Sequence, residues 1–267
     1  MTVAHPAVTS NAGNRQAMVA QRLARALDHG HLQLVYQPVI DLRSREVTSI
    51  EALCRWNDDE LGQVPPDEFI AAAETQGLIV ALGEYLLQQV LTDLPQILKR
   101  WPTVRVAINV SGLELEQPDF AERMSACIQA EDPRLAHHLE LEVTESAFHH
   151  KVEVVRYHLL ALRELGLTVA IDDFGTGQSS LARLHMLPFD KIKLDRSFVQ
   201  ALNDPMAQAI VKAMAQLANT FSRSLVVEGI ETTEQLQHLM QLGCRMGQGY
   251  LLCRPATLQA LLEQPMG

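Results

Sequence analysis

Eight polar residues in this sequence fall at one kind of place. Glu51, Asn109, Glu142, Asp172, Asp173, Lys193, Glu228 and Gln248 each stand in, at or just beyond the end of a short β-rich run. Alternation along the run Lys191–Leu194 puts Lys191, Lys193 and Asp195 on one face and Ile192 and Leu194 on the other, and Glu228 shares a face with Val226. If the run ends converge, five carboxylates crowd together. Two like charges ~4 Å apart repel by about 4 kcal/mol at an effective dielectric of ~20. One lysine cannot balance five acids, so the cluster must take up protons or bind cations. An oxygen-only donor set, with the Asn109 carbonyl, suits Mg2+ or Mn2+ rather than zinc. Two adjacent hard cations could clamp the attacking and leaving oxygens of a phosphoryl transfer. Alternation also puts Glu140 on the face of Glu142, one layer deeper, and spacing alone gives it no role.

The elements that must position these residues alternate. Strand-like runs lie at Leu32–Gln37, Val47–Leu53, Val104–Asn109, Leu139–Val143, Thr168–Ile171, Lys191–Leu194, Ser224–Glu228 and Met246–Leu251. Helical periodicity fills Asp67–Glu74, Glu84–Leu98, Asp119–Gln129, Val152–Leu165, Ser179–Met186, Pro205–Phe221 and Thr232–Leu242. Asp204 before Pro205 is a cap followed by proline at the first helical position. Strand–helix alternation predicts parallel pairing. The nine residues PVIDLRSRE between the first two runs are too few for a helical crossover, so those two should form an antiparallel hairpin. The expected fold is a (β/α)8 TIM-like barrel with an antiparallel first strand, and its active site belongs at the carboxyl ends of the strands. An open doubly wound sheet is the alternative. Residues 1–14 read as a disordered tail and 15–267 as a single barrel domain.

Composition narrows the function. Of 267 residues 47% are hydrophobic, enough for a sizeable core, and the net charge of −10 opposes a generic nucleic-acid binder. No apolar run reaches ~18 residues, and the N-terminus lacks the apolar core of a secretory signal. The four cysteines are scattered, with no CxxC pair, which fits a reducing cytoplasm better than disulfides or zinc. The histidines, among them the pairs His137-His138 and His149-His150, read as surface residues. Taken singly, the polar residues have plain readings: Asp172-Asp173 a cap pair, Asn109 a turn, Lys193 a solvated charge, Gln248 a bulge, Glu228 a turn. Their joint placement is what carries the argument.

The residues sit in ordered strings: Tyr36-Gln37-Pro38, Glu51-Ala52-Leu53-Cys54-Arg55-Trp56, Asn109-Val110-Ser111, Glu142-Val143-Thr144-Glu145-Ser146, Asp172-Asp173-Phe174-Gly175-Thr176-Gly177, Lys193-Leu194-Asp195, Glu228-Gly229-Ile230-Glu231 and Gln248-Gly249-Tyr250. Together, across about residues 15 to 265, they resemble the EAL domain. The resemblance implies a bacterial phosphodiesterase that opens cyclic di-GMP to linear pGpG with two Mg2+ or Mn2+ ions, Ca2+ being inhibitory. It implies that Glu51, Asn109, Glu142 and Asp172 hold one ion. Asp172 would bridge to a second, beside Asp173 and Glu228. Lys193 would hold the attacking water and Gln248 would orient it. Arg55 would meet a phosphate, with Gln37, Leu53 and Asp195 as further substrate contacts. Glu145 would brace the loop Asp173–Ser180, which with a neighbouring helix is expected to form a homodimer. Gln178 departs from the aromatic residue that many members carry there. A catalytically silent cyclic di-GMP receptor signalling through a partner protein, and an unrelated metal-dependent barrel enzyme, are the competing functions.

Overall fold

The structure is a computed structural model describing residues 7–148, 151–175 and 187–264, with side chains from residue 14 onward. It comprises two compact units, Met1–Leu34 with Cys54–Leu86, and Val35–Leu53 with Leu87–Gly267.

The larger unit holds the barrel. The barrel strands are β1 (Leu32–Asp41) and β2 (Val47–Asp58), which lie in this unit from Val35 and as far as Leu53 respectively, with β4 (Arg105–Val110), β5 (Leu139–Thr144), β6 (Thr168–Phe174), β7 (Lys191–Leu194), β8 (Ser224–Val227) and β9 (Met246–Gly247), while β3 (Gly62–Val64) belongs to the smaller unit. Around the ring the order is β1-β9-β8-β7-β6-β5-β4-β2, and β1 pairs with β2 to close it. β1 is antiparallel to β9, with Ile40 opposite Gly247, and forms the expected antiparallel hairpin with β2. Around the ring from β2 by way of β4 to β9 the neighbours are parallel, while β3 pairs with β2 antiparallel.

The sequence explains this wall. In β5 every residue from Leu139 to Val143 is buried. Leu139, Leu141 and Val143 take one face, while Glu140 and Glu142 take the face that carries the polar cluster. The helices start where their caps dictate. Asp204 accepts from Met206 N ahead of Pro205, and Thr232 and Gln235 form a reciprocal capping box that starts Thr233–Gln241.

The smaller unit packs the helices Ala7–His29 and Pro66–Thr75 over Leu23, Trp56, Phe69 and Leu82, all at most 2% exposed. Trp56 meets Phe69 edge-on at 6.0 Å. Arg22 ties the unit's surface together, bonding Asp58 at 2.6 Å and Glu60 at 2.5 Å.

The fold is the expected barrel, with differences in detail. The helix at Ala7 begins inside the stretch read as a tail, and residues 1–6 of that stretch lie outside the described residues. So does the expected helix Ser179–Met186. β9 stops at Gly247, which leaves Gln248 just past the sheet. His158 is 1% exposed rather than on the surface: it faces inward from the helix Val152–Glu164 against Phe120. Cys244 and Cys253 are buried, and Cys54 and Cys127 half-buried. Among the described residues no helix is long and apolar enough to cross a membrane.

Candidate metal centre

The carboxylates converge at the carboxyl ends of the parallel strands. One oxygen from each of Glu51, Glu142 and Asp172 lies within 4.8 Å of the others, and the same holds for Asp172, Asp173 and Glu228. Two groups of three carboxylates thus share Asp172. Lys193, 1% exposed, stands among them. Its Nζ is 2.7 Å from Glu142 Oε2, 2.8 Å from Glu228 Oε1, 3.2 Å from Asp172 Oδ1 and 3.5 Å from Glu51 Oε2.

A chain of amides orients the acids. Asn109 Nδ2 donates to Glu51 Oε1 at 3.0 Å, which leaves the Asn109 carbonyl available. Gln248 Nε2 donates to Glu51 Oε2 at 2.8 Å and to Gln37 Oε1 at 3.0 Å, and Gln37 Nε2 donates to Cys253 O at 2.9 Å. Gln248 itself is set by backbone: its N donates to Val227 O and its O accepts from Ile230 N. This crossing is so close that a Cβ on Gly249 would lie 2.2 Å from both the N and the O of Ile230, so no other residue fits there. Gly229, at φ +73 with Arg196 Cβ 2.5 Å from where its own Cβ would stand, turns the chain directly after Glu228.

The electrostatics follow from burial and crowding. Burial and the neighbouring Glu51 charge push the Glu142 carboxyl well above the usual carboxylate range, against the pull of Lys193. Burial likewise raises Glu228 to about 7 despite Lys193. Burial, then Asp172 and Asp195, raise Asp173. Glu51 goes the other way: burial would raise it, but Lys193, Gln248 and Asn109 together hold it below its ordinary value. For Lys193 burial is outweighed by the surrounding acids, so its ammonium is held well above the usual lysine range. One buried acceptor of the cluster, Gln248 Oε1, has no hydrogen-bond partner among the described residues, whereas Glu228 Oε1 faces the Lys193 ammonium. Like-charged oxygens in two overlapping triads, an amide carbonyl and one orphaned amide acceptor fit hard divalent cations.

The remaining expected site residues divide. Gln37 is buried and joined to the cluster through Gln248. Leu53 is half-buried at the end of the larger unit's share of β2. Asp195 caps the helix Arg196–Gln200, accepting from Ser197 N, near enough to raise Asp173. Arg55 belongs to the smaller unit and donates to Cys54 O at 2.8 Å. Both Glu145 carboxylate oxygens are buried without a hydrogen-bond partner among the described residues. The loop it was expected to brace is described only as far as Gly175, and Gln178 lies outside the described residues. The role missing for Glu140 is a buried pairing: it accepts from Lys191 Nζ at 2.6 Å and from Thr168 Oγ1 at 3.1 Å. The alternation that put Lys191 beside Lys193 was the available signal for it.

A barrel with a reversed first strand and acids at its strand ends defines a class, and the chain belongs to it: the model of the EAL domain family matches residues 20–255. The cyclic di-GMP phosphodiesterase PA2567 of Pseudomonas aeruginosa is 41% identical over 229 residues, 85% of this chain and 39% of that protein. The cyclic di-GMP phosphodiesterase RocR of the same organism is 36% identical over 246 residues, 92% of this chain and 62% of that protein. A solved cyclic di-GMP complex of the PaMucR phosphodiesterase superposes with a TM-score of 0.84 at 34% identity, covering 91% of this chain and 99% of that one. The chain spans 30% to 62% of the length of the curated relatives it matches.

Proposed function

We propose that this chain hydrolyses cyclic di-GMP to linear 5′-pGpG with two divalent cations, Mg2+ or Mn2+. The observation that carries this reading is the pair of carboxylate triads sharing Asp172 around the Lys193 ammonium. Glu51, Asn109, Glu142 and Asp172 would hold one ion, and Asp172, Asp173 and Glu228 the other. When bound, such ions supply Lewis acidity to a phosphoryl oxygen and lower the pKa of water. The chain's own residues do the rest. Lys193, kept charged by its acidic surroundings, donates to the oxygen of an attacking water and cannot act as a base. Gln248 Oε1, unpartnered among the described residues, and the Glu228 carboxylate beside Lys193 accept hydrogen bonds from that water and so fix its bearing. Glu51 is held in its ionised form by Asn109 and Gln248. Gln37, Leu53 and Asp195 line the approach of the dinucleotide.

The test is incubation of the purified chain with cyclic di-GMP and Mg2+ or Mn2+, with chromatography for pGpG and an EDTA control. Product that EDTA abolishes supports the reading. No product with either ion overturns it, and tight dinucleotide binding without product would make the domain a receptor instead.

A further inference from the structure

The cluster around Lys193 has a twin two residues down the same strands. Lys191 precedes Lys193 on β7 by two, Glu140 precedes Glu142 on β5 by two, and Ser49 precedes Glu51 on β2 by two. Lys191 Nζ donates to Glu140 Oε1 at 2.6 Å and to Ser49 Oγ at 3.0 Å. Above it, Lys193 Nζ reaches Glu142 and Glu51. Thr168, at the start of β6, donates to the second Glu140 oxygen. Ser49, Glu140 and Lys191 are 3%, 2% and 8% exposed. In the ring order β2 and β7 stand four strands apart in either direction, so each lysine crosses the full width of the barrel.

Barrel interiors are ordinarily filled by branched apolar side chains. A buried ion pair gives little net stability over apolar residues of the same volume. What directed N–H···O contacts add is a fixed distance and bearing between strands. The layer above needs that, because its acids repel one another and a single ammonium must stay within reach of four of them.

We infer that Lys191, Glu140 and Ser49 form a positioning layer. They fix the separation of β2, β5 and β7, so that Glu51, Glu142 and Lys193 keep the spacing that cations and water require. None of the three is placed against substrate; they act through the residues two positions on. The catalytic part of the inference rests on the proposed phosphodiesterase reading, and the metal-binding part does not.

The test compares wild type with Ser49→Ala, Ser49→Thr and the double variant Lys191→Met/Glu140→Gln, which removes both charges together. Melting temperature, Mn2+ affinity of the ion-free protein by calorimetry, kcat and KM are measured. Ser49→Ala and the double variant should melt within a few degrees of wild type. Their kcat should fall about tenfold or more, with KM within about twofold, and Mn2+ affinity should weaken about tenfold. Ser49→Thr, which keeps the hydroxyl, should restore both. A double variant that melts, binds Mn2+ and turns over like wild type overturns the inference. Should it fail to fold, Ser49→Ala decides: wild-type Mn2+ affinity and kcat in that variant overturn the inference equally. Absence of hydrolysis by wild type would count against the functional reading, and the Mn2+ affinities would still decide this one.

Discussion

Glu51 is held at both oxygens, by Asn109 on one side and Gln248 on the other, and it faces Lys193. Replacing it with alanine removes a donor from the first triad and also one charge from a self-repelling group. Glu51→Ala should therefore lower kcat at least about 100-fold, a loss no smaller than that of an outer-shell metal partner. Its melting temperature in EDTA should stay near or above that of wild type. A variant that melts far lower would mean that the residue is structural first. Lys193 differs, because it is the ammonium that four acids share. Lys193→Ala should lower kcat by about 100- to 1000-fold, the cost of losing one oriented donor. It should change dinucleotide affinity much less. Equal losses in rate and affinity would place Lys193 in substrate binding instead.

Elements deliver these residues with little slack. Gln248 lies past the end of a two-residue strand, and the tight crossing of Gly249 over Ile230 holds it there. Gly249→Ala forces that backbone apart, so stability should fall by about 2 kcal/mol. The rate should fall further than the lost folded fraction explains, because Gln248 moves with the turn; calorimetry and steady-state kinetics on one preparation separate the two effects. This is also where sequence reading reached its limit. Alternation made the inward faces of β5 and β7 legible, because a strand's period is two whatever packs on it. The carboxyl-end acids followed from that. The sequence reads Gln248 as a strand residue, since nothing local distinguishes a residue in a sheet from one pinned beside it by backbone contacts. Glu140 remained unexplained because its partner Lys191 lies two strands away, and His158 because its burial depends on Phe120 from another helix. The small polar residues at the start of the chain carry no apolar periodicity that would announce the helix Ala7–His29. The smaller unit's core joins that helix to residues more than thirty positions on, a pairing that spacing does not encode.

For the whole molecule, the proposed ion binding would couple to folding. A cation at about 100 times its dissociation constant stabilises the folded state by about 2.7 kcal/mol. That corresponds to a rise of about 5 to 10 °C in melting temperature for a chain of this size. Mg2+ should produce the rise with turnover. Ca2+, which tolerates irregular coordination, should produce a rise with little turnover; brisk hydrolysis in calcium would contradict the geometric argument. The pH dependence has a definite sign. Glu228 titrates near 7 in the folded protein because burial disfavours its charge. Its contribution to stability is fully present below the ordinary carboxylate range and is lost as pH rises through about 7. In EDTA the protein should therefore melt lower at pH 8 than at pH 6, and divalent ions should close the gap. A gap that persists under saturating Mg2+ would mean that other groups set it. The same crowding makes hydrogen ions and metal ions rivals for one set of oxygens. Titrating Mn2+ into a weakly buffered sample near neutrality should acidify it, and on the proposed reading the domain would then act as a small proton-for-metal exchanger whose loading weakens whenever its surroundings turn sour.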